Sequence, residues 1–410
     1  MLNFQCLKFM CVFIFTCINI WPIIGADLSI VINASDDETK MPPVVASTNT
    51  AQKLILVESI PVSISLPPKK AMITGIAGQD GAYLAQHLLN LGYIVIGTYR
   101  RTSMDLSRYF WRLDKMGISH HPNIIFKTCD VSDSSSCFNI FQEHPDVCEV
   151  YNLAAQSFVK ESFTTQTSTL DVDGKGPLNL LEAIRQKNKA IRFYQASTSE
   201  LFGKVQEIPQ SETTPFYPRS PYATAKQYGH WMTVLYRESY DMYACCGILF
   251  NHESPIRGEE FVSRKVAKAV AQIKKGIQEC VELGNIDAKR DWGFSGDYVK
   301  AMHLMLQQST PEEYVIATGK TYTVRYMVEK AFARVGMIIR WEGSEDQERG
   351  IDTATSKIVV KINPKFYRPA EVDLLIGDAS KAERELGWKA EVSADQLIDM
   401  MVDAEMEQTL

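Results

Sequence analysis

The 410-residue sequence predicts an α/β fold, a doubly wound parallel sheet of the Rossmann type with a smaller C-terminal lobe. A glycine-rich turn, residues 75–81, lies between a short apolar strand and a run with helical apolar spacing. Strand-like apolar segments then alternate with amphipathic helical patterns as far as residue 250. The chain is 45% hydrophobic and 22% charged, which supplies enough apolar residues for a large core and two lobes.

The first 68 residues differ from the rest in composition. Residues 1–26 contain one lysine before an apolar run, and two small residues follow that run. This pattern is typical of a secretory signal peptide, with a short membrane anchor as the alternative. Residues 27–68 are rich in Ser, Thr, Pro and acidic side chains, so we expect a disordered linker there.

Charge and cysteine usage argue against two classes of site. The formal net charge of -6 gives no indication of nucleic-acid binding. The nine cysteines have no Cys-x-x-Cys spacing, so the sequence predicts neither a metal site nor a disulfide framework.

The glycine-rich turn has the context of a dinucleotide-binding loop, because it follows a strand at residues 71–74 and precedes a helix at 82–91. Gly75 permits the tight turn, Gly78 lets the backbone approach a pyrophosphate, and Gly81 lets the helix pack close to the strand. The N-terminus of that helix then faces the phosphates. A plain glycine turn is the alternative interpretation.

The second predicted strand, residues 93–97, is followed by Arg100 and Arg101. NAD-binding units usually place an acidic residue here for the ribose hydroxyls. Two guanidinium groups suit a 2′-phosphate instead, so the sequence favours NADP, although arginine pairs are also common on solvated surfaces. The third strand, residues 124–128, ends near Asp130, which could contact the adenine end of the cofactor.

The next two strands end in residues that suit a reaction site. Residues 147–153 run into small residues at 154–157, which would let a nicotinamide ribose come close. A helix at 178–184 leads to the fifth strand, residues 191–195, and then to Thr198 and Glu200. If these two residues are still extended, their hydroxyl and carboxylate face the same site.

A helix starting at Pro221 places Tyr222 and Lys226 one turn apart on one face. An ammonium near a phenol lowers the phenol pKa from its ordinary value of about 10. Tyr222 would then be a base for a sugar hydroxyl. The alternative is a surface Tyr and Lys on an ordinary helix.

After a sixth strand at residues 242–250 the alternation loosens. Arg290 and Arg368 stand beside aromatic residues, and basic residues opposite the cofactor lobe would suit a diphosphate substrate, although such residues are often solvated. We expect a helix at 297–308, a last sheet strand at 314–317 and a closing helix at 398–407. The predicted domains are an NADP-binding Rossmann domain at 69–250 and a mainly substrate-binding lobe at 251–410, which returns residues 291–318 to the sheet.

Seven stretches resemble the GDP-mannose 4,6-dehydratase family, a branch of the extended short-chain dehydrogenases/reductases. They are residues 75–81, 151–157, 196–200, 216–222, 247–255, 287–293 and 367–373. Ala77 replaces a common Thr, and residues 102–109 differ from the Ser-rich run that lies near a tetramer contact in that family. The first 68 residues have no counterpart in the resemblance.

The resemblance implies roles for named side chains. The implied catalytic groups are Thr198, Glu200, Tyr222 and Lys226. The implied cofactor contacts are Gly75, Gly78, Gln79, Asp80, Gly81, Arg100, Arg101, Asp130, Val131, Leu153, Ala154, Gln156, Tyr222, Lys226, His252 and Arg257. The expected substrate contacts are Ser157, Asn251, Lys265, Arg290, Arg368 and Glu371.

The resemblance also implies an NADP-dependent hydro-lyase that converts GDP-mannose to GDP-4-dehydro-6-deoxy-mannose, the first step towards GDP-fucose and other GDP-deoxyhexoses. The reaction oxidises C4 transiently, loses water across C5–C6 and returns hydride to C6. A homo-oligomer, dimer or tetramer, is implied, as is a cytoplasmic location, which conflicts with the signal-like segment.

Alternatives are a nucleotide-sugar epimerase, another dehydratase or a reductase of the same family, or a non-catalytic NADP-binding regulator. An epimerase needs no base for the C5 proton, so Glu200 argues against it. The four catalytic positions together argue against a regulator.

Overall fold

A computed structural model describes residues 28–31, 45–48, 67–367, 372 and 374–408. Strands β1 (Leu28–Val31) and β2 (Val45–Thr48) pair antiparallel within the segment predicted as a linker. The rest of that linker up to residue 66, and the signal-like segment, lie outside the described residues. Pro68–Leu410 forms a compact unit, to which the following description applies.

The strands of this unit are short. In chain order they are β3 (Lys70–Thr74), β4 (Ile94–Tyr99), β5 (Ile124–Thr128), β6 (Glu149–Asn152), β7 (Arg192–Thr198), β8 (Ala244–Leu249), β9 (Asn251–Glu253), β10 (Val281–Leu283), β11 (Lys289–Arg290), β12 (Trp292–Phe294), β13 (Glu313–Ile316), β14 (Tyr322–Thr323), β15 (Ile339–Glu342), β16 (Arg349–Asp352) and β17 (Ile358–Ile362).

The helices alternate with the strands in the first part of the unit. In chain order they are α1 (Gln79–Asn90), α2 (Leu106–Tyr109), α3 (Trp111–Lys115), α4 (Ser134–Glu143), α5 (Gln166–Leu170), α6 (Gly176–Lys187), α7 (Pro221–Tyr240), α8 (Val262–Lys274), α9 (Ser295–Met305), α10 (Val324–Arg334), α11 (Ser380–Leu386) and α12 (Ala394–Gln408). A π-helical turn, Asp171–Lys175, joins α5 to α6.

The central sheet has seven strands in the order β13-β8-β7-β6-β3-β4-β5, and each neighbouring pair is parallel. Chain order reverses between β3 and β6, and ligands of such sheets bind beyond the carboxyl ends of the strands at this point. The predicted Rossmann-type fold is therefore confirmed, and the predicted strands match β3 to β8 and β13 within a few residues.

Side-chain alternation along β3 builds a core on each face of the sheet. Ala71 and Ile73 pack with the buried faces of α1 and α9, while Met72 packs with α4, α6 and α7 on the opposite face. Successive residues of a strand point to opposite faces, so one five-residue strand serves both cores.

The C-terminal lobe has a core of its own. A four-stranded sheet in the order β10-β17-β16-β15 accompanies α8, α10 and α12, whose apolar residues form one buried cluster. Two strand pairs, β9–β12 and β11–β14, lie outside the larger sheets. Within the described ranges no helix is long and apolar enough to cross a membrane.

Candidate active site

A cleft of about 1330 Å³ opens at the carboxyl ends of the central strands. The glycine-rich turn after β3, the ends of β6, β7 and β8, and the first turns of α7 form one wall. Residues of the C-terminal lobe, including Val262, Leu283, Trp292 and Phe366, form the other wall. A cleft between two lobes of a protein is a common location for a ligand site.

The glycine-rich turn has the geometry expected of a phosphate-binding loop. Gly75 has a φ of +69°, and a Cβ atom there would lie 3.0 Å from the Ala154 backbone. A Cβ atom on Gly81 would lie only 2.5 Å from the Gly75 carbonyl oxygen, so α1 packs directly on the turn. No side chain caps the N-terminus of α1, which leaves its first backbone N–H groups for an anion.

Asp80 and His252 join the glycine-rich turn to the segment after β8. His252 Nε2 lies 2.8 Å from Asp80 Oδ2, and its Nδ1 lies 2.7 Å from the Phe250 carbonyl oxygen. Both partners are acceptors, so both ring nitrogens carry a proton and His252 is an imidazolium. Ser295 Oγ also donates to Asp80, at 2.7 Å.

The pKa values of the pair agree with this charge assignment. Burial opposes ionisation of Asp80, but the charge and hydrogen bond of His252 hold the pKa of that carboxyl well below its usual range. Burial also opposes the charge of His252, and Asp80 nevertheless raises the pKa of the imidazole. The partly buried ion pair therefore fixes the second residue of α1 to β9.

Thr198 and Glu200 line the cleft together, although only Thr198 has the extended backbone considered from the sequence. Thr198 is the last residue of β7, and its Oγ1 accepts a hydrogen bond from the Glu200 backbone N–H at 3.2 Å. This cap starts a 3-10 turn, Ser199–Leu201. The two side chains reach one cleft through that turn and not through strand alternation.

Helix α7 places Tyr222 and Lys226 as its sequence predicts. Pro221 occupies the first turn, and the Ser220 side chain caps the helix by accepting from the Ala223 N–H at 3.1 Å. Lys226 Nζ donates to the Ala196 carbonyl oxygen at 3.2 Å and lies 5.9 Å from the centroid of the Tyr222 ring. Both side chains line the cleft.

The expected lowering of the Tyr222 pKa is not found in the protein alone. Burial and then the charge of Asp173 raise the pKa of Tyr222 above its ordinary value, while hydrogen bonding with Thr198 opposes the shift. Burial lowers the pKa of Lys226, and the charges of Asp173 and Asp80 oppose that shift. The sequence shows neither the burial of Tyr222 nor the nearness of the Asp173 carboxylate, and both of these raise the pKa of the phenol.

The expected substrate contacts in the described part of the chain meet in the cleft. Asn251 Oδ1 is buried there with no hydrogen-bond partner among the residues that the structure describes, which suits an incoming donor group. Lys265 Nζ lies 3.5 Å from the centroid of the Phe366 ring. Ser157 and Arg290 also line the cleft, whereas Arg368 and Glu371 lie outside the described residues.

The expected cofactor contacts divide into two groups. Those that line the cleft are Gly75, Gly78, Gln79, Asp80, Gly81, Leu153, Tyr222, Lys226, His252 and Arg257. Those that are not among its lining residues are Arg100, Arg101, Asp130, Val131, Ala154 and Gln156. Arg100 and Arg101 are exposed just beyond β4, and Asp130 accepts from the Ser132 N–H and hydroxyl.

Several cleft residues were not predicted from the sequence. Arg108 in α2 and Arg112 in α3 line the cleft on the side of the glycine-rich turn, and Arg112 donates to the Ala77 carbonyl oxygen at 3.0 Å. Lys160 and Phe366 line the opposite end. In the sequence, Lys160 and Phe366 were indicated only by their closeness to predicted site residues. Lys160 follows Ser157 by three residues, and Phe366 precedes Arg368 by two.

The parallel sheet, the glycine-rich turn and the Tyr222–Lys226 pair beside Thr198 define an extended short-chain dehydrogenase/reductase. A solved dTDP-glucose 4,6-dehydratase from Bacillus anthracis, in complex with NAD, has the same fold, with a TM-score of 0.67 and 20% identity. That match covers 83% of this chain and 97% of the other.

Sequence comparison identifies the family more narrowly. The family model described as GDP-mannose 4,6 dehydratase matches residues 72–401. The chain is 50% identical over 345 residues to a GDP-mannose 4,6 dehydratase of Dictyostelium discoideum, covering 83% of this chain and 96% of that protein. It is 51% identical over 344 residues to one of Homo sapiens, covering 83% and 92%. The chain belongs to the GDP-mannose 4,6-dehydratase family.

Proposed function

We propose that the chain is an NADP-dependent GDP-mannose 4,6-dehydratase, which forms GDP-4-dehydro-6-deoxy-mannose for GDP-fucose and other GDP-deoxyhexoses. The main support is that Thr198, Glu200, Tyr222 and Lys226 line one cleft beside a dinucleotide-binding turn, in a chain of this family. A metal is not needed for this chemistry, and no cluster of His, Cys, Asp or Glu among the described residues is arranged to hold one.

The residues of the cleft fit a nicotinamide dinucleotide. The turn at Gly75 and Gly81 leaves no room for a Cβ atom, and uncapped N–H groups of α1 suit the pyrophosphate. When bound, the cofactor supplies the hydride acceptor for C4 and the hydride donor for C6. Arg100 and Arg101 after β4, and Arg108 in the cleft wall, would favour the 2′-phosphate of NADP.

The first step needs a base for the C4 hydroxyl, and Tyr222 is that base. The Thr198 hydroxyl, which interacts with Tyr222, holds the same substrate hydroxyl by a hydrogen bond. The Lys226 ammonium, held by the Ala196 carbonyl oxygen, adds positive charge behind the phenol.

The elimination step uses Glu200. The ketone formed at C4 acidifies the neighbouring C5 proton, which the Glu200 carboxylate removes. The protonated Glu200 then donates to the hydroxyl that leaves C6 as water. After hydride return to C6, the proton restored at C5 is balanced by the proton that Tyr222 took from the C4 hydroxyl, so the overall change is loss of one water molecule.

The substrate nucleotide would lie along the C-terminal wall. The cations Lys265 and Arg290 line this part of the cleft and suit the diphosphate, as would Arg368. Asn251, with its buried unpartnered oxygen, and Ser157 can hydrogen-bond the sugar, and Glu371 is proposed to contact the substrate. These assignments agree with a cofactor-binding domain at residues 69–250 and a mainly substrate-binding lobe at 251–410, which we propose as the domain division.

We also infer a homo-oligomer, a dimer or a tetramer. Tyr228, Trp231 and Leu235 are 44%, 54% and 48% exposed and lie on one face of α7. An exposed apolar stripe of this kind is typical of an interface.

We expect the enzyme to act in the cytoplasm, where the nucleotide-sugar pathway runs. The signal-like segment lies outside the described residues.

Mass spectrometry of the product tests the function directly. The purified chain with NADP, GDP-mannose and no added hydride donor should give a product lighter by one water. Other nucleotide sugars, offered in parallel, should be converted much more slowly. A product of unchanged mass would indicate an epimerase, and no product from any sugar would contradict the proposal.

A further inference from the structure

Asp173 is a buried carboxyl group that the proposed reaction does not use. It lies in the π-helical turn between α5 and α6, and it is 1% exposed. Its Oδ1 accepts a hydrogen bond from the Gln156 backbone N–H at 2.7 Å. Its Oδ2 is buried and has no hydrogen-bond partner among the described residues. An unsatisfied buried oxygen costs stability, so its retention calls for a functional explanation.

Close helix packing brings Asp173 to the level of Lys226. A Cβ atom on Gly174 would lie 3.3 Å from the Ala225 carbonyl oxygen, and one on Gly229 would lie 3.0 Å from the Asp173 carbonyl oxygen. The π-helical turn and α7 therefore meet at backbone contact. Lys226 falls between Ala225 and Gly229 on α7, and the charges of Asp173 and Lys226 interact.

The charge of Asp173 acts on both catalytic groups of α7. Burial raises the pKa of the Asp173 carboxyl to about 7, although the Lys226 charge and the Gln156 N–H oppose this. When ionised, Asp173 raises the pKa of Tyr222. The other charged groups that face this pair are Glu200, which also raises the pKa of Tyr222, Arg257, which lowers it, and Asp80, which faces Lys226.

We propose that Asp173 is a positioning residue for the Tyr222–Lys226 pair. Asp173 holds the Gln156 backbone beside the cleft, and its charge sets the pH range in which Tyr222 accepts a proton. This rests on the proposed function in that Tyr222 is the base. While Asp173 is protonated, the Lys226 charge acts on the phenol unopposed by a carboxylate at this position. As the pH rises and Asp173 ionises, deprotonation of Tyr222 becomes harder.

The first test uses the protein without substrate or cofactor. Carbon-13 NMR of labelled aspartate and tyrosine follows Asp173 and Tyr222, whose signals are assigned by their loss in Asp173→Asn and Tyr222→Phe. We expect Asp173 to titrate near pH 7, and Tyr222 in Asp173→Asn to ionise about one pH unit lower than in the wild type. Wild-type Asp173 already ionised at pH 5, or a Tyr222 titration that does not move, would overturn the proposal.

The second test compares two replacements in the holoenzyme. Asp173→Asn keeps an acceptor for the Gln156 N–H but removes the charge, whereas Asp173→Ala removes both. The acid limb of kcat/KM should move about one pH unit lower in Asp173→Asn, with KM nearly unchanged. Asp173→Ala should lower kcat/KM about tenfold through loss of the hydrogen bond.

If both variants have the same kcat/KM, and its acid limb lies at the same pH as in the wild type, then Asp173 is a packing residue only. Circular dichroism checks that both variants fold. If Asp173→Asn does not, the wild-type Asp173 signal is assigned by its loss in Asp173→Ala, and its titration decides. If GDP-mannose is not a substrate, the NMR titration still tests the proposal, because it requires no turnover.

Discussion

Glu200 is the residue whose proposed chemistry separates a dehydratase from an epimerase on this scaffold. Oxidation at C4 needs a base for one hydroxyl, for which we propose Tyr222, and a hydride acceptor. Removal of the C5 proton needs a second base in the same cleft. We propose Glu200 for that role, since the 3-10 turn capped by Thr198 carries its carboxyl into the cleft.

Replacing Glu200 by Gln should stop the reaction after the oxidation at C4. The amide keeps the size of the side chain but cannot accept the C5 proton. We expect Glu200→Gln to develop nicotinamide absorbance after addition of GDP-mannose, while product forms at least about a hundredfold more slowly. Little solvent deuterium should enter C5.

Tyr222→Phe provides the matched control, because it blocks the earlier step and should abolish both the absorbance change and the product. If Glu200→Gln forms the 4-keto-6-deoxy sugar at the normal rate, then Glu200 is not the base.

Arg100 and Arg101 allow a prediction about cofactor preference. Their position after β4 suits a 2′-phosphate, and a hydrogen bond between charged groups contributes about 1.5–3 kcal/mol. Replacing both by Ala should weaken NADP binding at least about tenfold while NAD binding changes little. Fluorescence titration with both nucleotides measures the ratio. Arg108→Ala tests the neighbouring guanidinium, and an unchanged ratio in the double variant would assign the 2′-phosphate elsewhere.

At the scale of elements, the helices and strands with regular apolar spacing could be predicted from the sequence. Turns that depend on individual side-chain contacts could not. The buried strands β3 to β8 and helix α7 follow from apolar spacing and from caps such as Ser220 and Pro221. The 3-10 turn at Glu200 depends on one side-chain hydrogen bond, and the π-helical turn at Asp173 depends on packing against α7. The strands β9 to β12 and β14, which have two or three residues each, are too short for a clear period.

The close packing of α1 on the glycine-rich turn gives a prediction for Gly81→Ala. The added methyl group would lie 2.5 Å from the Gly75 carbonyl oxygen and 2.8 Å from Ile76 Cα. Because the backbone must move to relieve this, we expect a loss of about 1–3 kcal/mol of unfolding free energy and much weaker NADP binding.

Asn90→Ala is the control for that substitution, since it lies at the exposed C-terminal end of the same helix and should leave both quantities nearly unchanged. Urea unfolding and nucleotide titration measure them. Normal NADP affinity in Gly81→Ala would show that the turn tolerates displacement of α1.

At the scale of the whole molecule, the cleft assembles residues that are far apart in sequence. Gly75 and Phe366 line the same cavity although almost three hundred positions separate them. The cofactor wall could be predicted because each strand delivers its site residues at its carboxyl end. The opposite wall could be predicted only in part. Lys265 and Arg290 were expected in the cleft and line it, whereas Lys160 and Phe366 stand in a turn and a 3-10 turn whose positions depend on tertiary packing.

Assembly is the last property that the molecule's surface allows us to predict. Trp231 is 54% exposed in the middle of the apolar stripe on α7, the helix that also carries Tyr222 and Lys226. A glutamate at this half-exposed position would place a charge in the proposed interface, so Trp231→Glu should yield a smaller species in analytical ultracentrifugation. Ile277→Glu, at a residue 62% exposed in the other lobe, is the control and should sediment like the wild type. A wild type that is monomeric, or a Trp231→Glu variant of unchanged mass, would remove this face of α7 from the interface.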